Sequence, residues 1–190
     1  YDAQVIAYAL YCGDHKVALE VLNALPEKRL YPQIEPDGKQ PLELKRTLAF
    51  HYSQYNLTHF IDIYQMGQKL GVKVDQATSA DGRNFYKAMD FLANYVGKPQ
   101  SEWPYRQISN WEGSQQNFCR DLYRAYLLNP EKKEYLRLYK ENRVMDWKDR
   151  FNLLYVVPSE VDNAYAFACE QMDFAIDCVT KARKEEKNAA

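Results

Sequence analysis

Three side chains that could carry out acid–base chemistry on an acidic ligand lie within a stretch of seven residues. They are Arg46, His51 and Tyr52. An arginine guanidinium stays charged and can hold a carboxylate through two parallel hydrogen bonds. A tyrosine phenol near a cation can lose and regain a proton, and a histidine titrates near neutrality. These residue types suit removal of the proton beside the carboxylate of a uronic acid, followed by protonation of the departing oxygen.

The spacing of Arg46 and Tyr52 leaves their role open. Six residues along a straight helix turn by about 600°, so the two side chains would lie roughly 120° apart around the axis. They can meet only if the helix bends or if long side chains reach around a shared groove. An apolar helical stripe also passes through this segment, made up of Leu44, Leu48, Tyr52 and Tyr55. A tyrosine in such a stripe is usually packed, Arg46 could pair with Glu43, and His51 could be structural.

Basic and aromatic residues outside this segment could extend a site along an anionic chain. The basic ones are Lys39, Lys45, Arg29 and Arg106. Trp103 and Tyr105 offer flat apolar faces of the kind on which sugar rings stack. Scattered cations are more often simply solvated, and loop aromatics more often anchor the loop. The candidate substrate-binding residues are Arg106, Trp103, Tyr105 and Lys45.

The composition favours one globular domain and limits the kind of ligand. With 190 residues, the chain fits a single domain over 1–190. Its 25 basic and 26 acidic residues give a net charge of −1, so no global field attracts nucleic acid or an anionic membrane. An anionic ligand must therefore be met by a local cluster. No apolar run approaches the roughly 18 residues that span a bilayer, which predicts no membrane insertion.

Signatures of several enzyme classes are missing from the sequence. It has no P-loop, no GxGxxG, no HExxH and no GxSxG, so nothing supports nucleotide hydrolysis, dinucleotide binding, zinc proteolysis or α/β-hydrolase chemistry. Its four cysteines form no CxxC pair, and its three histidines lack a tight acidic cluster. The sequence therefore predicts no metal and no cofactor.

Apolar residues recur at three- and four-residue spacing between the glycines and prolines, which predicts an all-α fold built from helical hairpins. Gly13 predicts a short turn between the first two helices, the second of which is expected to stop at Pro26. Residues 26–41 are predicted to form an ordered loop.

The later helices follow from the same periodicity. Asp81 is predicted to cap a helix that runs to Tyr95. The other predicted helices are a pair over 41–70 and single helices at about 111–128, 131–140 and 158–185. Successive hairpins of this kind could stack as a solenoid or close into an α/α toroid.

Several segments resemble the alginate lyase family of polysaccharide lyases. The most specific covers residues 36–53 and is similar to the family's PDG-x-QPLEL-x-RT-x-x-x-HYS segment. Weaker likeness is found at residues 1–4, 81–83, 87–92 and 103–108, the last of which is similar to WPY-x-QI. From about residue 111 onward, no family segment is apparent.

The resemblance implies an α/α toroid with an open groove and a metal-free lyase that cuts a uronic-acid polysaccharide such as alginate by β-elimination. Arg46 would neutralise the carboxylate and Tyr52 would act as acid and base, with His51 as a further contributor. Some members use a spacing of seven, which here lands on Ser53, so the choice between Tyr52 and Tyr55 as proton donor stays open. The implied partner is an anionic polysaccharide, and the implied location is periplasmic or secreted.

The family also carries an Asn-His pair just upstream of the part that corresponds to residues 1–4. We therefore expect the chain to be the C-terminal portion of a longer lyase domain, with little or no activity by itself. Two alternatives remain. One is a non-catalytic helical scaffold that binds partners through its aromatic loops, and the other is a domain that binds acidic glycan without cleaving it.

Overall fold

A computed structural model describes residues 1–144 and 149–155. Helices account for the regular structure of these residues, and two isolated bridges are the only β-type pairing among them. The α-helices are α1 (Asp2–Tyr11), α2 (His15–Leu25), α3 (Tyr31–Gln33), α4 (Pro41–Leu44), α5 (Ala49–Lys69), α6 (Phe85–Ala93), α7 (Trp111–Leu128), α8 (Lys133–Asn142) and α9 (Arg150–Leu154). The all-α prediction is confirmed for this part of the chain. The helix predicted at 158–185 lies outside the described residues.

The chain divides into two compact units, Tyr1–Arg143 and Val144–Ala190. In the second unit the structure describes α9, which begins at Arg150 and is capped by Asp149, whose side chain accepts a hydrogen bond from the Phe151 N–H at 2.9 Å. The single domain expected over 1–190 stays a prediction. All candidate site residues belong to the first unit.

The first hairpin forms as predicted. Helices α1 and α2 pack against each other and are joined by a turn at Gly13, which adopts a φ of +74° that favours glycine. Asp14 then caps α2, because its carboxylate accepts a hydrogen bond from the Val17 N–H at 3.2 Å.

Helix α2 ends at Leu25, directly before Pro26, as predicted, but the chain does not enter a loop there. Pro26 keeps a helical φ of −57°, and the chain continues through a π-helical turn, Pro26–Leu30, into α3. In the wider turn, the Tyr31 N–H bonds to the Pro26 carbonyl. A wider turn of this kind lets a helical path pass a proline that lacks its own N–H. The loop expected over 26–41 therefore begins only after Gln33.

That loop is fixed against α6 by a glycine and two cations. Gly38 has a φ of +86°, and a Cβ there would lie 2.2 Å from the Lys87 carbonyl oxygen. Lys87 Nζ donates to the Pro36 carbonyl at 2.9 Å. Arg83 Nη1 donates to the Tyr31 carbonyl of α3 at 3.1 Å and to the Ile34 carbonyl of the loop at 3.4 Å. The backbone before Pro41 is thus held close to α6.

Asn84 caps α6, and the prediction that Asp81 does so is wrong. The Asn84 side chain accepts from the Lys87 N–H at 2.8 Å. Asp81 instead accepts from Arg83 Nε at 2.8 Å, and the hydrogen bonds from Ser79 and Arg83 hold the pKa of Asp81 below its ordinary value. Asp81 therefore orients the arginine that binds the loop.

Helix α5 is the longest described helix, and several other helices of the first unit pack against it. It contacts α1, α2, α6 and α7, and its buried apolar residues recur at helical spacing. A polar network joins it to α7. Gln54 Nε2 and Thr58 Oγ1 both donate to Asp121 Oδ2 at 2.6 Å. Burial raises the pKa of Asp121 to about 6, although these hydrogen bonds and the charge of Arg124 oppose the shift.

We expect Gly38→Ala to lower the free energy of unfolding by about 2–4 kcal/mol, because the new methyl group adds a backbone clash to the strain of a positive φ. Gly71→Ala is the matched control, since Gly71 has a φ of +74° and nothing within 4 Å of its Cβ position. It should cost only about 1–2 kcal/mol. Urea unfolding measures both, and equal losses would show that the contact with Lys87 is unimportant.

Asp121→Asn tests the buried carboxyl through pH. The native state holds this proton to a pH of about 6, whereas the unfolded chain releases it near 3.8. The native state thus binds more protons in that window, and the wild-type free energy of unfolding should fall relative to the variant as pH rises through it. The difference in the free energy of unfolding is at most about 3 kcal/mol, because each unit of pKa difference between the native and unfolded states corresponds to about 1.4 kcal/mol. Urea unfolding from pH 4 to 7 measures it.

Gln76→Ala is the control for this pH series, because Gln76 is exposed and has no titratable group. Its curve should run parallel to that of the wild type. If the Asp121→Asn curve were also parallel, the raised pKa would be refuted.

Candidate active site

Arg46 and Tyr52 meet because the chain bends between them. Arg46 lies in the bend between α4 and α5, whereas Tyr52 lies in the first turn of α5. The Arg46 Cζ is 3.9 Å from the centre of the Tyr52 ring, a cation–π contact. Their 120° separation on a straight helix therefore does not apply, and the expectation that one helix holds both residues is wrong. The two side chains share one surface, with Tyr52 half-buried and Arg46 exposed.

His51 packs against the same tyrosine. Its ring meets the Tyr52 ring edge to face at 5.4 Å and lies nearly parallel to the Tyr55 ring at 6.2 Å. The His51 Nδ1 is buried and has no hydrogen-bond partner among the described residues. His51 is thus in a position to orient Tyr52, and its ring keeps an unused polar atom at the site.

The beginning of α5 is held by residues 106–108. The Ala49 N–H donates to the Arg106 carbonyl at 2.9 Å, and the Ile108 N–H donates to the Thr47 carbonyl at 3.1 Å. Between these bonds, the Phe50 N–H donates to Gln107 Oε1 at 3.1 Å. The first N–H groups of a helix have no partner within the helix, so this segment acts as the cap of α5. It also brings Arg106 beside the bend that carries Arg46.

Sequence analysis did not identify Gln107, although it lies in the WPY-x-QI segment. Its Nε2 donates to the Ser109 carbonyl at 2.8 Å, and its own carbonyl accepts from Gln100 Nε2 at 2.5 Å. Gln107 is thus bonded at both ends of its amide as well as through its backbone. Gln107 holds the start of α5 through its bond to the Phe50 N–H. Phe50 is 57 residues away in sequence, so the sequence alone does not show this role.

Gln40 is a second buried amide that positions the site. It is 2% exposed, and its Nε2 donates to the Ser53 carbonyl at 3.1 Å, directly after Tyr52. Its Oε1 accepts from Asn56 Nδ2 at 2.8 Å. The segment before α4 is therefore bonded to the second turn of α5, which fixes both sides of the bend.

Three cations around the start of α5 are exposed and have no ion-pair partner among the described residues. Among the described residues, no carboxylate forms an ion pair with Lys45, Arg46 or Arg106. In a chain of net charge −1, this is a local excess of positive charge. The alternative of a pair between Arg46 and Glu43 does not occur. The site can therefore offer a guanidinium fork and further positive charge to an anion.

The other two candidate cations are compensated. Lys39 Nζ is 2.8 Å from Asp37, and this hydrogen bond raises the pKa of Lys39. Arg29 Nε is 2.6 Å from Asp2, and the bond holds the pKa of Asp2 below its ordinary value. Neither residue adds much positive potential.

Trp103 is part of the core. It is 5% exposed, with its ring 5.2 Å from Phe50 and 4.8 Å from Tyr95 in edge-to-face contacts. A ring in that position has no open face for a sugar, so the structure gives Trp103 a packing role in place of the expected stacking. Tyr105 packs on Trp103 at 5.1 Å but stays half-buried, so part of its ring still reaches the surface.

The described residues contain no group of three or more His, Cys, Asp or Glu side chains placed to hold a metal ion. Within the same residues, no helix combines the length and the apolar character needed to cross a membrane.

The chain is similar to a known protein family and to a solved structure. A family model described as alginate lyase matches residues 1–103. The crystal structure of an alginate lyase from Bacteroides ovatus matches with a TM-score of 0.80 and 45% sequence identity. The match covers 83% of this chain and 41% of that chain, so the present chain spans less than half of the length of that protein. No curated protein matches the chain.

The structural match also decides between the two helical architectures. The matched alginate lyase has an α/α toroid fold, and the identity is high enough to carry the fold over. The prediction of helical hairpins that form part of a toroid is therefore confirmed at the level of fold class.

We expect Gln107→Ala to lower the free energy of unfolding by about 1–3 kcal/mol, because it leaves the buried Phe50 N–H without its acceptor. Gln76→Ala is the control, since Gln76 is exposed, and it should change stability by less than about 0.5 kcal/mol. Urea unfolding of both variants provides the comparison. Equal stability of the two would show that Gln107 does not hold the start of α5.

Proposed function

Since this chain belongs to the alginate lyase family, we propose that the protein cleaves a uronic-acid polysaccharide such as alginate by β-elimination. The observation that carries the proposal is the contact between Arg46 and Tyr52 on a surface with uncompensated positive charge. A polyuronate has one carboxylate per sugar. Lys45 and Arg106 suit the neighbouring carboxylates of such a chain, and the half-exposed Tyr105 suits contact with a sugar ring.

The proposed reaction breaks the C5–H bond next to the carboxylate. The electron pair forms a C4–C5 double bond, the C4–O4 bond breaks, and O4 receives a proton. Arg46 would hold the carboxylate and stabilise the negative charge that develops on it. Tyr52 would take the C5 proton and return a proton to O4. His51, in contact with the Tyr52 ring, would orient the phenol or take part in the transfer.

The choice of Tyr52 over Tyr55 rests on the guanidinium. Arg46 contacts the Tyr52 ring, whereas Tyr55 lies one turn further along α5 and packs against His51 and His59. A base that acts next to the carboxylate must lie near the group that binds the carboxylate. We therefore assign the proton transfer to Tyr52.

The family resemblance also supports two wider proposals. We expect residues 1–190 alone to have little activity, because the family's Asn-His pair would lie upstream of them. We also expect the protein to act in the periplasm or outside the cell, where such polysaccharides are met. Assays should therefore use the full-length protein, with residues 1–190 alone as a parallel sample.

Two other functions compete with catalysis. The first is binding of an acidic glycan without cleavage, for which the same exposed cations would suffice. The second is a non-catalytic helical scaffold, which would need neither the cations nor the acid–base residues. The C4–C5 double bond absorbs in the ultraviolet, so incubation with alginate, glucuronan and other polyuronates separates these alternatives. No rise in absorbance with any substrate would refute the lyase.

We expect Tyr52→Phe to lower kcat by about 10²–10⁴-fold, the usual contribution of a positioned acid or base, while the fold and substrate binding persist. Tyr8→Phe is the matched control, because Tyr8 is 69% exposed on α1, and it should keep wild-type turnover. The ultraviolet assay measures kcat for both variants. Undiminished turnover by Tyr52→Phe would mean that another group moves the proton.

A further inference from the structure

Gln40 joins the two helices that flank the candidate catalytic pair. Its backbone carbonyl accepts a hydrogen bond from the Leu44 N–H at 2.9 Å, at the start of α4. Its side-chain Nε2 donates to the Ser53 carbonyl of α5 at 3.1 Å. Arg46 follows α4 by two residues, and Tyr52 directly precedes Ser53. A shift of the Gln40 side chain would therefore move the guanidinium relative to the phenol.

The Gln40 amide must face in one direction to make these bonds. An amide has nearly the same shape either way round, so its hydrogen-bond partners decide which end holds the oxygen. The Ser53 carbonyl can only accept, which requires the Gln40 nitrogen. At the other end, the Asn56 Nδ2 can only donate, and it lies 2.8 Å from Gln40 Oε1. Two groups of α5 thus specify the orientation of an amide that is 2% exposed.

Asn56 is itself held in place for this contact. It lies three residues after Ser53, a spacing that makes the two residues neighbours on one side of a helix. Its Nδ2 also donates to Oε1 of Gln33, at the end of α3, at 2.9 Å. The two bonds use both N–H groups of the Asn56 amide, so this nitrogen is committed to protein partners.

We propose that Asn56 is a positioning residue for the lyase reaction. By donating to Gln40 Oε1, it keeps the Gln40 nitrogen turned towards the Ser53 carbonyl, and it thereby holds Arg46 beside Tyr52. Asn56 acts through Gln40 and needs no contact with the sugar. The proposal rests on the proposed function, because it takes Arg46 and Tyr52 as the groups that carry the reaction.

The first test is Asn56→Asp in the full-length protein, assayed by ultraviolet absorbance. Aspartate has the size of asparagine and leaves no cavity, but it places an acceptor opposite Gln40 Oε1. We expect kcat to fall about 10–100-fold, because small displacements of reacting groups cost large factors in rate. KM should change by less than about threefold, since Lys45 and Arg106 still face the neighbouring carboxylates. Asn94→Asp, at an exposed residue, adds the same charge and should match the wild type.

Two kinetic results would overturn the positioning role. One is a wild-type kcat in Asn56→Asp, which would mean that the Gln40 amide keeps its orientation without a donor at Asn56. The other is a raised KM with an unchanged kcat, which would show that Asn56 contacts the substrate directly.

A double-mutant cycle tests whether Asn56 acts through Gln40. Asn56→Ala, Gln40→Ala and the double variant are assayed well below their unfolding midpoints in urea, so that a loss of stability alone does not lower kcat. The double variant should have the kcat of Gln40→Ala within about twofold, because residues that act through one path are not additive. Losses that multiply would refute the proposal.

A crystal structure of Asn56→Asp separates this proposal from the lyase itself. If the wild-type protein cleaves no polyuronate, the proposed function fails, but the geometry can still be compared. The distance from Arg46 Cζ to the centre of the Tyr52 ring is 3.9 Å in the wild type. An increase of more than about 1 Å, with the Gln40 amide turned away from Ser53, would support the role of Asn56. An unchanged contact would refute it.

Discussion

The beginning of α5 is the feature on which the candidate site depends. The first N–H groups of α5 bond to residues 106–108 in place of a local capping side chain, and the chain must turn sharply before Ala49 to allow this. That turn places Arg46 over the Tyr52 ring. If α5 continued one turn further towards the N-terminus, Arg46 would be part of the helix and would point away from Tyr52 around the axis.

The site combines buried amides with exposed cations, and the two groups have different tasks. Gln40 and Gln107 are buried and bonded at both ends of their amides, so any movement of the backbone around Tyr52 would break buried hydrogen bonds. Lys45, Arg46 and Arg106 are exposed, which spares them the cost of burying a charge before a ligand arrives. The fold thus holds the backbone rigidly and leaves the charges open to a polyanion.

Features set by local sequence were predicted well. Periodic apolar residues predicted α7 at its observed bounds, and Gly13 marked the first turn, because both depend on residues close in sequence. Features set by distant partners were not predicted. The choice of Asn84 over Asp81 as a cap depends on Arg83, which binds Asp81 while it reaches the Tyr31 carbonyl.

The candidate site shows the same limit. Its residue types were recognised from sequence and from the family resemblance, whereas the geometry was not, because the bend at Arg46 depends on a segment some sixty residues later. The burial of Trp103 is likewise a tertiary effect, since a loop position gives no sign that five other aromatic rings contact it. The role of Gln107 could have been predicted only with knowledge of how its segment packs against the start of α5.

A crystal structure of the full-length Tyr52→Phe variant with a bound polyuronate oligosaccharide tests the central claim most directly. We predict one sugar carboxylate within about 2.7–2.9 Å of the Arg46 guanidinium, with C5 of the same sugar facing the ring of residue 52. An oligosaccharide bound with its carboxylates away from Arg46, or with C5 on the far side of the sugar from residue 52, would contradict the account.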